Sequence, residues 1–124
     1  AHDAGAEFLV SPGICDELLG NPPLPYFPGV ATPTEIMRAS EAGFHTLKLF
    51  PANTLGGIEY LKALRGPFPH LRWLATGGIE PAQLSDYLQA GAMAVGFGGH
   101  LFPSQDIAAG HWSAITERYA RMTA

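Results

Sequence analysis

The chain reads Thr46-Leu47-Lys48-Leu49-Phe50-Pro51 over residues 46–51, a short apolar run with a lysine near its centre. A run of this length and composition is typical of a buried β-strand. Because successive side chains of a strand point to opposite faces, the two leucines should face one side, and Lys48 with its even-numbered neighbours the other. A lysine between two core leucines either extends to solvent or takes part in chemistry, and the run alone leaves both open.

Composition places limits on the kind of protein. The 124 residues allow one domain with a modest core, and 47% hydrophobic and 15% charged residues exclude a disordered tail or a coiled coil. A net charge of −4 without a basic run argues against a nucleic-acid partner. Cys15 is the one cysteine, which excludes a disulfide framework and suits a reducing compartment. With no membrane-spanning run and no signal peptide visible, we expect a soluble cytoplasmic protein without a membrane partner.

Strand-like runs alternate with helical runs along the chain. Strands are predicted at residues 7–11, 24–27, 46–50, 71–75 and 93–97. Helical patterns fill the intervals and the tail, at residues 14–19, 33–42, 58–64, 81–90 and 107–122. The helix at 33–42 has the clearest start, with Thr32 as N-cap, Pro33 at the first position and Glu35 completing a capping box. The second strand is expected to stop at Pro28-Gly29.

An Ala-Gly pair closes a helix just before a strand at residues 4–5, 42–43 and 90–91. Repeats of this kind indicate parallel βα units, in either an open doubly wound sheet or a (β/α)8 barrel. No strand is followed by Gly-x-Gly-x-x-Gly, which disfavours a dinucleotide fold. A barrel needs eight units, so about five units here would be its C-terminal part. We therefore expect residues 1–124 to be a partial (β/α)8 domain that enters the fold midway, without the N-terminal strands.

Glycine pairs follow two consecutive strands, Gly77-Gly78 and Gly98-Gly99. Ligands of parallel α/β folds bind where the strands end, and barrels often place a phosphate site after the last two strands. Glycine lets the backbone approach an anion closely. One Gly-Gly pair alone is most simply a tight turn, but two on neighbouring strand ends favour a phosphate cup.

Lys48 would face the interior if the units form a barrel, while its leucine neighbours face the helices. Burial disfavours the ammonium form, and a neutral amine can attack a carbonyl to form a Schiff base. Phe50 would supply an apolar wall for a small keto acid. A buried lysine beside a phosphate cup suggests an aldolase that acts on a phosphorylated sugar acid.

Five motifs carry a resemblance to a known family: residues 8–13 (Phe-Leu-Val-Ser-Pro-Gly), 47–52 (Leu-Lys-Leu-Phe-Pro-Ala), 66–69 (Gly-Pro-Phe-Pro), 76–79 (Thr-Gly-Gly-Ile) and 95–99 (Val-Gly-Phe-Gly-Gly). In order and spacing the chain resembles the 2-keto-3-deoxy-6-phosphogluconate aldolases, a family that includes 4-hydroxy-2-oxoglutarate aldolases. The resemblance implies a class I aldolase on a (β/α)8 barrel, usually a homotrimer, that uses a lysine and no metal or other cofactor. Its reaction yields pyruvate and glyceraldehyde 3-phosphate in the Entner–Doudoroff route.

The resemblance also implies roles for individual residues. Lys48 matches the Schiff-base lysine, Pro12 and Phe50 match walls of the pyruvate pocket, and Thr76 matches a residue at the keto-acid end of the substrate. His100 stands where the family often has a serine that helps to hold phosphate, which leaves the exact keto acid open. The phosphate-binding backbone of the family matches Gly77, Gly78, Gly98 and Gly99.

The sequence departs from the family in its missing catalytic base. The family's general-base glutamate, with a nearby arginine and threonine, lies on earlier strands that this sequence lacks, and Glu7 and Glu17 are wrongly placed to replace it. Loss of a general base costs roughly 10²–10⁴-fold in rate. Two alternatives to the aldolase therefore stay open: a phosphate-binding barrel enzyme without a Schiff base, such as an isomerase or synthase, and a non-catalytic fragment that only binds or assembles. The histidines show no metal-ligand spacing.

Overall fold

A computed structural model of the chain describes residues 2–124. The predicted helix end at the start of the chain falls partly on Ala1, which lies outside the described residues. Within them, His2–Ala4 form a single 3₁₀ turn, and Gly5 follows with a φ of 81°. Gly43 and Gly91 also have positive φ, at 94° and 101°. The three Ala-Gly pairs therefore share one left-handed turn before a strand, as their repetition predicts.

Parallel strands form the framework of the described residues. They are β1 (Leu9–Val10), β2 (Tyr26–Phe27), β3 (Gly29–Val30), β4 (Thr46–Leu49), β5 (Arg72–Thr76) and β6 (Ala94–Gly96). β1 pairs with β2, and the other strands form a sheet in the order β3-β4-β5-β6. Every pair is parallel, so each connection must cross back over the sheet.

Helices lie between the strands and after the last one. They are α1 (Asp16–Gly20), α2 (Pro33–Glu41), α3 (Gly57–Arg65), a 3₁₀ turn (Pro81–Gln83) that leads into α4 (Leu84–Gln89), α5 (Ser104–Ala109) and α6 (Trp112–Thr123). Strand order follows chain order, with one helix between β3 and β4, between β4 and β5, and between β5 and β6. The predicted succession of parallel βα units is confirmed. In the described part of the chain, no helix is both long enough and apolar enough to cross a membrane.

The start of α2 has the predicted caps. Thr32 accepts a hydrogen bond from the backbone N–H of Glu35, and the Glu35 carboxylate accepts from the backbone N–H of Thr32 in return. Glu35 Oε2 also accepts from the N–H of Ala31 at 2.7 Å. Burial of Glu35 acts to raise its pKa, but these hydrogen bonds to the carboxylate outweigh it and lower the pKa overall. The carboxylate thus ties the end of β3 to the first turn of α2.

The core lies between one face of the sheet and the helices. Leu47 and Leu49 are fully buried, and their register partners on β5 are Trp73 and Ala75, which are also fully buried. Against them pack helix residues that include Ile36, Leu61, Leu64 and Tyr87. Lys48 points to the opposite face and is only half-buried. The alternation predicted for the lysine strand is therefore present.

β2 ends at Phe27, directly before Pro28, as predicted, but a further strand that the sequence did not indicate, β3, begins at Gly29. β3 pairs with the lysine strand, so that Gly29 lies opposite Lys48. The carbonyl of Pro28 accepts a hydrogen bond of 2.9 Å from the backbone N–H of Lys48. A proline lacks only the donor of a ladder bond, and its acceptor still pairs with the lysine strand.

The predicted closing helix at 107–122 is also corrected, because two helices occupy this region. Gly110 separates α5 from α6 with a φ of 69°, a left-handed conformation that glycine adopts without a steric penalty. Ile115 is buried, whereas Trp112 is 61% exposed and Tyr119 is 54% exposed.

Candidate active site

A cleft of ≈ 580 Å³ opens where β4, β5 and β6 end. It is larger than the groove of ≈ 480 Å³ between α4 and α6, which no strand residue lines. Its position is the one where parallel α/β proteins bind ligands. The lining residues are Lys48, Phe50, Thr76, Gly77, Gly78, Ile79, Gly96, Phe97, Gly98, Gly99 and His100.

Lys48 is held in this cleft by its strand. Its neighbours in register are Gly29 on β3 and Leu74 on β5, so its side chain has a small partner on one side and an apolar partner on the other. Its Nζ lies 4.9 Å from the centre of the Phe50 ring, and it forms no ion pair or hydrogen bond within residues 2–124. Burial lowers the pKa of Lys48 from the ordinary value of 10.5. The amine is therefore more readily neutral, and so nucleophilic, than a surface lysine.

Lys62 shows the contrast within the same chain. It is the second of two lysines, and its Nζ lies 2.9 Å from Glu59 Oε1 on the exposed surface of α3. A carboxylate partner favours the charged form of an amine. No such partner stands beside Lys48 in the described part of the chain.

The loop after β4 packs closely on the loop after β5. A Cβ placed on Gly77 would lie 2.7 Å from Pro51 Cα and 3.1 Å from Phe50 Cδ2. Gly77 also has a φ of +104°. Only glycine fits here, and its absence of a side chain lets the Phe50 ring lie against the turn beside Lys48.

The glycine turns present unused backbone donors to the cleft. Within residues 2–124, no hydrogen bond is donated by the backbone N–H groups of Gly77, Gly78, Gly98 and Gly99. A Cβ placed on Gly98 or Gly99 would meet no atom within 4 Å, so space lies open at that turn. Free backbone N–H groups around an open space are suited to an anion. His100 follows them as an exposed side chain at the rim.

Thr76 is the last residue of β5 and lies opposite Gly96. Its Oγ1 is buried and has no hydrogen-bond partner among the described residues. A Cβ placed on Gly96 would lie 2.6 Å from Thr76 Cγ2, so the glycine makes room for the threonine. A buried hydroxyl without a partner is uncommon in folded proteins and is explained when a ligand completes the site.

Pro12 is the predicted site residue that the structure does not bring into the cleft. It follows β1 and is exposed, and a Cβ placed on Gly29 would lie 2.4 Å from its carbonyl carbon. Pro12 therefore lies against β3 on the face from which Lys48 also projects, since Gly29 and Lys48 are register partners. Pro12 is not among the residues that line the cleft.

Sequence reasoning missed three lining residues, Gly96, Ile79 and Phe97. Each is next to or within a motif that was noticed, and alternation along the last strand could have indicated Gly96. It also missed Asn53, whose side chain joins the loop after β4 to the Gly77-Gly78 turn and to α4. No spacing in the sequence marks that residue. Among residues 2–124, no three metal-ligating side chains cluster together.

The fold and the cleft define an α/β protein of the (β/α)8 class. Its cleft lies at the strand ends, and a lysine projects from the sheet face opposite the one that packs on the helices. The chain belongs to the KDPG and KHG aldolase family, whose model matches residues 1–118. It is 43% identical over 125 aligned residues to the 2-dehydro-3-deoxy-phosphogluconate aldolase of Pseudomonas aeruginosa, covering 98% of this chain and 56% of that protein. It is 37% identical to the KHG/KDPG aldolase of Escherichia coli, covering 93% of this chain and 55% of that protein.

Solved structures give the same picture. A KDPG aldolase from Legionella pneumophila, with pyruvate captured at low pH as a covalent carbinolamine intermediate, matches with a TM-score of 0.84 and 40% identity. The match covers 94% of this chain and 58% of that one. The 2-keto-3-deoxy-6-phosphogluconate aldolase of Zymomonas mobilis matches with a TM-score of 0.75 and 35% identity, over 84% of this chain and 52% of that one. The chain thus spans about half the length of the relatives it matches.

Proposed function

We propose that this chain provides the lysine and the phosphate cradle of a class I aldolase. The substrate would be 2-keto-3-deoxy-6-phosphogluconate, cleaved to pyruvate and glyceraldehyde 3-phosphate, with 4-hydroxy-2-oxoglutarate as a second substrate. The observation that carries the proposal is the environment of Lys48, a half-buried amine in the cleft that has no carboxylate partner among residues 2–124. A covalent pyruvate adduct in the similar Legionella enzyme supports it.

The first step forms the covalent bond. The neutral Lys48 amine attacks the C2 keto carbon, an N–C bond forms, and the carbonyl electron pair moves to the oxygen, which takes up a proton. The resulting carbinolamine loses water to give the iminium ion. The lowered pKa of Lys48 supplies the neutral amine that this attack requires.

The second step breaks the carbon chain. The C3–C4 bond breaks and its electron pair moves toward the iminium nitrogen, while the C4 hydroxyl gives up its proton and becomes the aldehyde of glyceraldehyde 3-phosphate. Protonation of the enamine at C3 and hydrolysis then release pyruvate and restore Lys48. No Asp or Glu lines the cleft in the described part of the chain, so its residues supply the nucleophile and not a carboxylate base for this proton.

The remaining contacts divide between the two ends of the substrate. The free N–H groups of the two glycine turns suit the phosphate, and His100 can add a hydrogen bond at the rim. Phe50 provides an apolar wall beside the amine, and the unpartnered Thr76 hydroxyl suits the keto-acid end. Pro12 remains assigned to the pyruvate pocket by the family pattern alone.

The proposal extends to assembly and location. Residues 1–124 would form part of a (β/α)8 domain in a homotrimer, and exposed apolar side chains such as Trp112 and Tyr119 are suited to cover by a second copy. A single cysteine suits the reducing cytoplasm.

Turnover tests the proposal. Pyruvate release from the phosphorylated keto acid is measured for the wild-type chain, Lys48→Arg and Lys62→Arg. We expect release by the wild type, its loss in Lys48→Arg because guanidinium is not nucleophilic, and no change in Lys62→Arg. Treating the wild type with pyruvate and borohydride should abolish release.

Other outcomes would contradict it. Turnover that persists in Lys48→Arg or after borohydride would favour a phosphate-binding barrel enzyme that forms no Schiff base. Phosphate binding by a folded wild-type chain without turnover would favour a role in binding or assembly alone.

A further inference from the structure

We propose that Asn53 and Tyr87 form a positioning pair that orients the peptide groups of the Gly77-Gly78 turn, and so sets the affinity of the cleft for phosphate. This inference rests on the proposed function, because it assigns a role within the same cleft. Neither Asn53 nor Tyr87 lines the cleft itself. Their effect on a ligand would act through the turn.

Asn53 lies in the loop after β4, and its side-chain amide is fully engaged. Its Nδ2 donates to the carbonyl of Gly78 at 2.6 Å and to Gln83 Oε1 at 2.9 Å. Its Oδ1 accepts from the Tyr87 hydroxyl at 2.5 Å. Both amide donors of an asparagine are therefore used. In addition, the backbone N–H of Asn53 donates to the carbonyl of Gly77 at 3.1 Å.

These bonds hold two successive peptide planes. In a trans peptide the N–H points opposite to the carbonyl of the same plane. When Asn53 holds the carbonyl of Gly77, the N–H of Gly78 is directed away from Asn53, and the hold on Gly78 directs the N–H of Ile79 likewise. Gly78 and Ile79 both line the cleft, and neither donates an N–H bond within residues 2–124. Consecutive free N–H groups in a turn form an anion-binding concavity.

The turn needs such a hold because glycine does not provide one. Gly77 and Gly78 have φ angles of +104° and +70°, and glycine populates many other conformations at little steric cost. Without the two carbonyl bonds, the peptide planes would rotate among them. An anion would then have to order the turn at the expense of its own affinity.

Tyr87 sets which way the Asn53 amide faces. It is a fully buried residue of α4, and burial raises the pKa of its hydroxyl, which therefore stays protonated as a donor at neutral pH. A donor at this position selects the amide oxygen as its partner, so the amide nitrogen must face Gly78. Removal of the hydroxyl would allow a flip that sets Asn53 Oδ1 against the carbonyl of Gly78.

The test compares two tyrosines. Tyr87→Phe removes the hydroxyl that holds Asn53, and Tyr60→Phe is the matched control. Tyr60 donates at 2.7 Å to the carbonyl of Ala31, after β3 and away from the glycine turn. Asn53→Asp is a second variant. It keeps an acceptor for the Tyr87 hydroxyl but removes the side-chain amide group that donates to Gly78 and Gln83. Folding of each variant is checked by thermal unfolding.

Two readouts are measured on the full chain. One is binding of inorganic phosphate, followed by the NMR signals of the Gly78 and Ile79 amides. The other is the rate at which borohydride traps pyruvate on Lys48. We expect Tyr87→Phe and Asn53→Asp to weaken phosphate binding about tenfold, as loss of a buried hydrogen bond implies, with trapping unchanged. Tyr60→Phe should leave both readouts at their wild-type values.

The outcomes separate this inference from the proposed function. Wild-type phosphate affinity in Tyr87→Phe and Asn53→Asp would overturn the positioning role and leave the proposed function standing. A parallel loss of phosphate binding and trapping would also overturn it, because a general structural defect would account for both. If phosphate does not shift the amides of the wild-type chain, the phosphate cradle and this inference both fail.

Discussion

Replacement of Gly77 by alanine tests how closely the two site loops pack. The added Cβ would lie 2.7 Å from Pro51 Cα and 3.0 Å from Pro51 Cβ, far inside ordinary contact. Pro51 Cα is backbone and cannot move as a side chain can. The φ of +104° at Gly77 is a conformation that alanine rarely adopts.

Both effects can be given magnitudes. A left-handed conformation costs an L-residue about 1–2 kcal/mol. Overpacking against a fixed neighbour costs about 1–3 kcal/mol. We therefore expect Gly77→Ala to lower the free energy of unfolding by about 3 kcal/mol, a large part of the stability of a small domain. With a urea m value of about 1.5 kcal/mol/M, the midpoint should fall by about 2 M.

Gly98→Ala is the matched control, since it adds the same methyl group to the neighbouring turn of the cleft. A Cβ there meets no atom within 4 Å, and Gly98 does not have a positive φ. We expect this variant to be neutral or stabilised by up to about 1 kcal/mol, because alanine restricts the unfolded chain. Equal urea midpoints for Gly77→Ala and Gly98→Ala would refute the close packing of Pro51 on Gly77.

Two further predictions concern charged groups. Because burial lowers the pKa of Lys48, unfolding takes up a proton between that lowered pKa and the ordinary 10.5, and the stability of the chain should rise with pH across that window. In urea titrations, Lys48→Met should therefore be more stable than the wild type near neutral pH and lose this advantage as pH approaches 10.5, with Lys62→Met as control. Glu35→Ala removes the cap of α2, so we expect it to lower the free energy of unfolding by about 1–2 kcal/mol, measured by thermal unfolding. Glu41→Ala, exposed at the other end of that helix, should change little, and equal melting of the two variants would contradict the capping role.

The parts of the fold that could be predicted depend on local patterns. Alternation of apolar and polar residues predicted which face of β4 is buried, because Leu47 and Leu49 share one side of a pleated strand. The Thr32 and Glu35 cap was visible because its partners are three residues apart. The two glycine turns were likewise visible, since each directly follows its strand.

The features that sequence reasoning missed depend on contacts between distant residues. Strand pairing resumes after Pro28 because its carbonyl accepts a hydrogen bond from the N–H of Lys48, twenty residues later in the chain. Asn53 acts through Gly78 and Tyr87, on two other elements. Neither set of contacts produces a periodic pattern of residues in the sequence. Gly110, by contrast, was a local signal for dividing the last helix, and the amphipathic pattern around it concealed that signal.

Reductive trapping of pyruvate tests the central claim most directly. The chain has two lysines, so labelling has an internal control: Lys48 in the cleft and Lys62 on the surface. The chain is incubated with pyruvate and borohydride, digested, and its modified peptides are identified by mass spectrometry. We predict a pyruvate adduct on Lys48 and none on Lys62, with a trapping rate that levels off at a pH below 10.5. An unmodified Lys48 in a folded chain, or equal labelling of both lysines, would contradict the assignment of Lys48 as the Schiff-base residue.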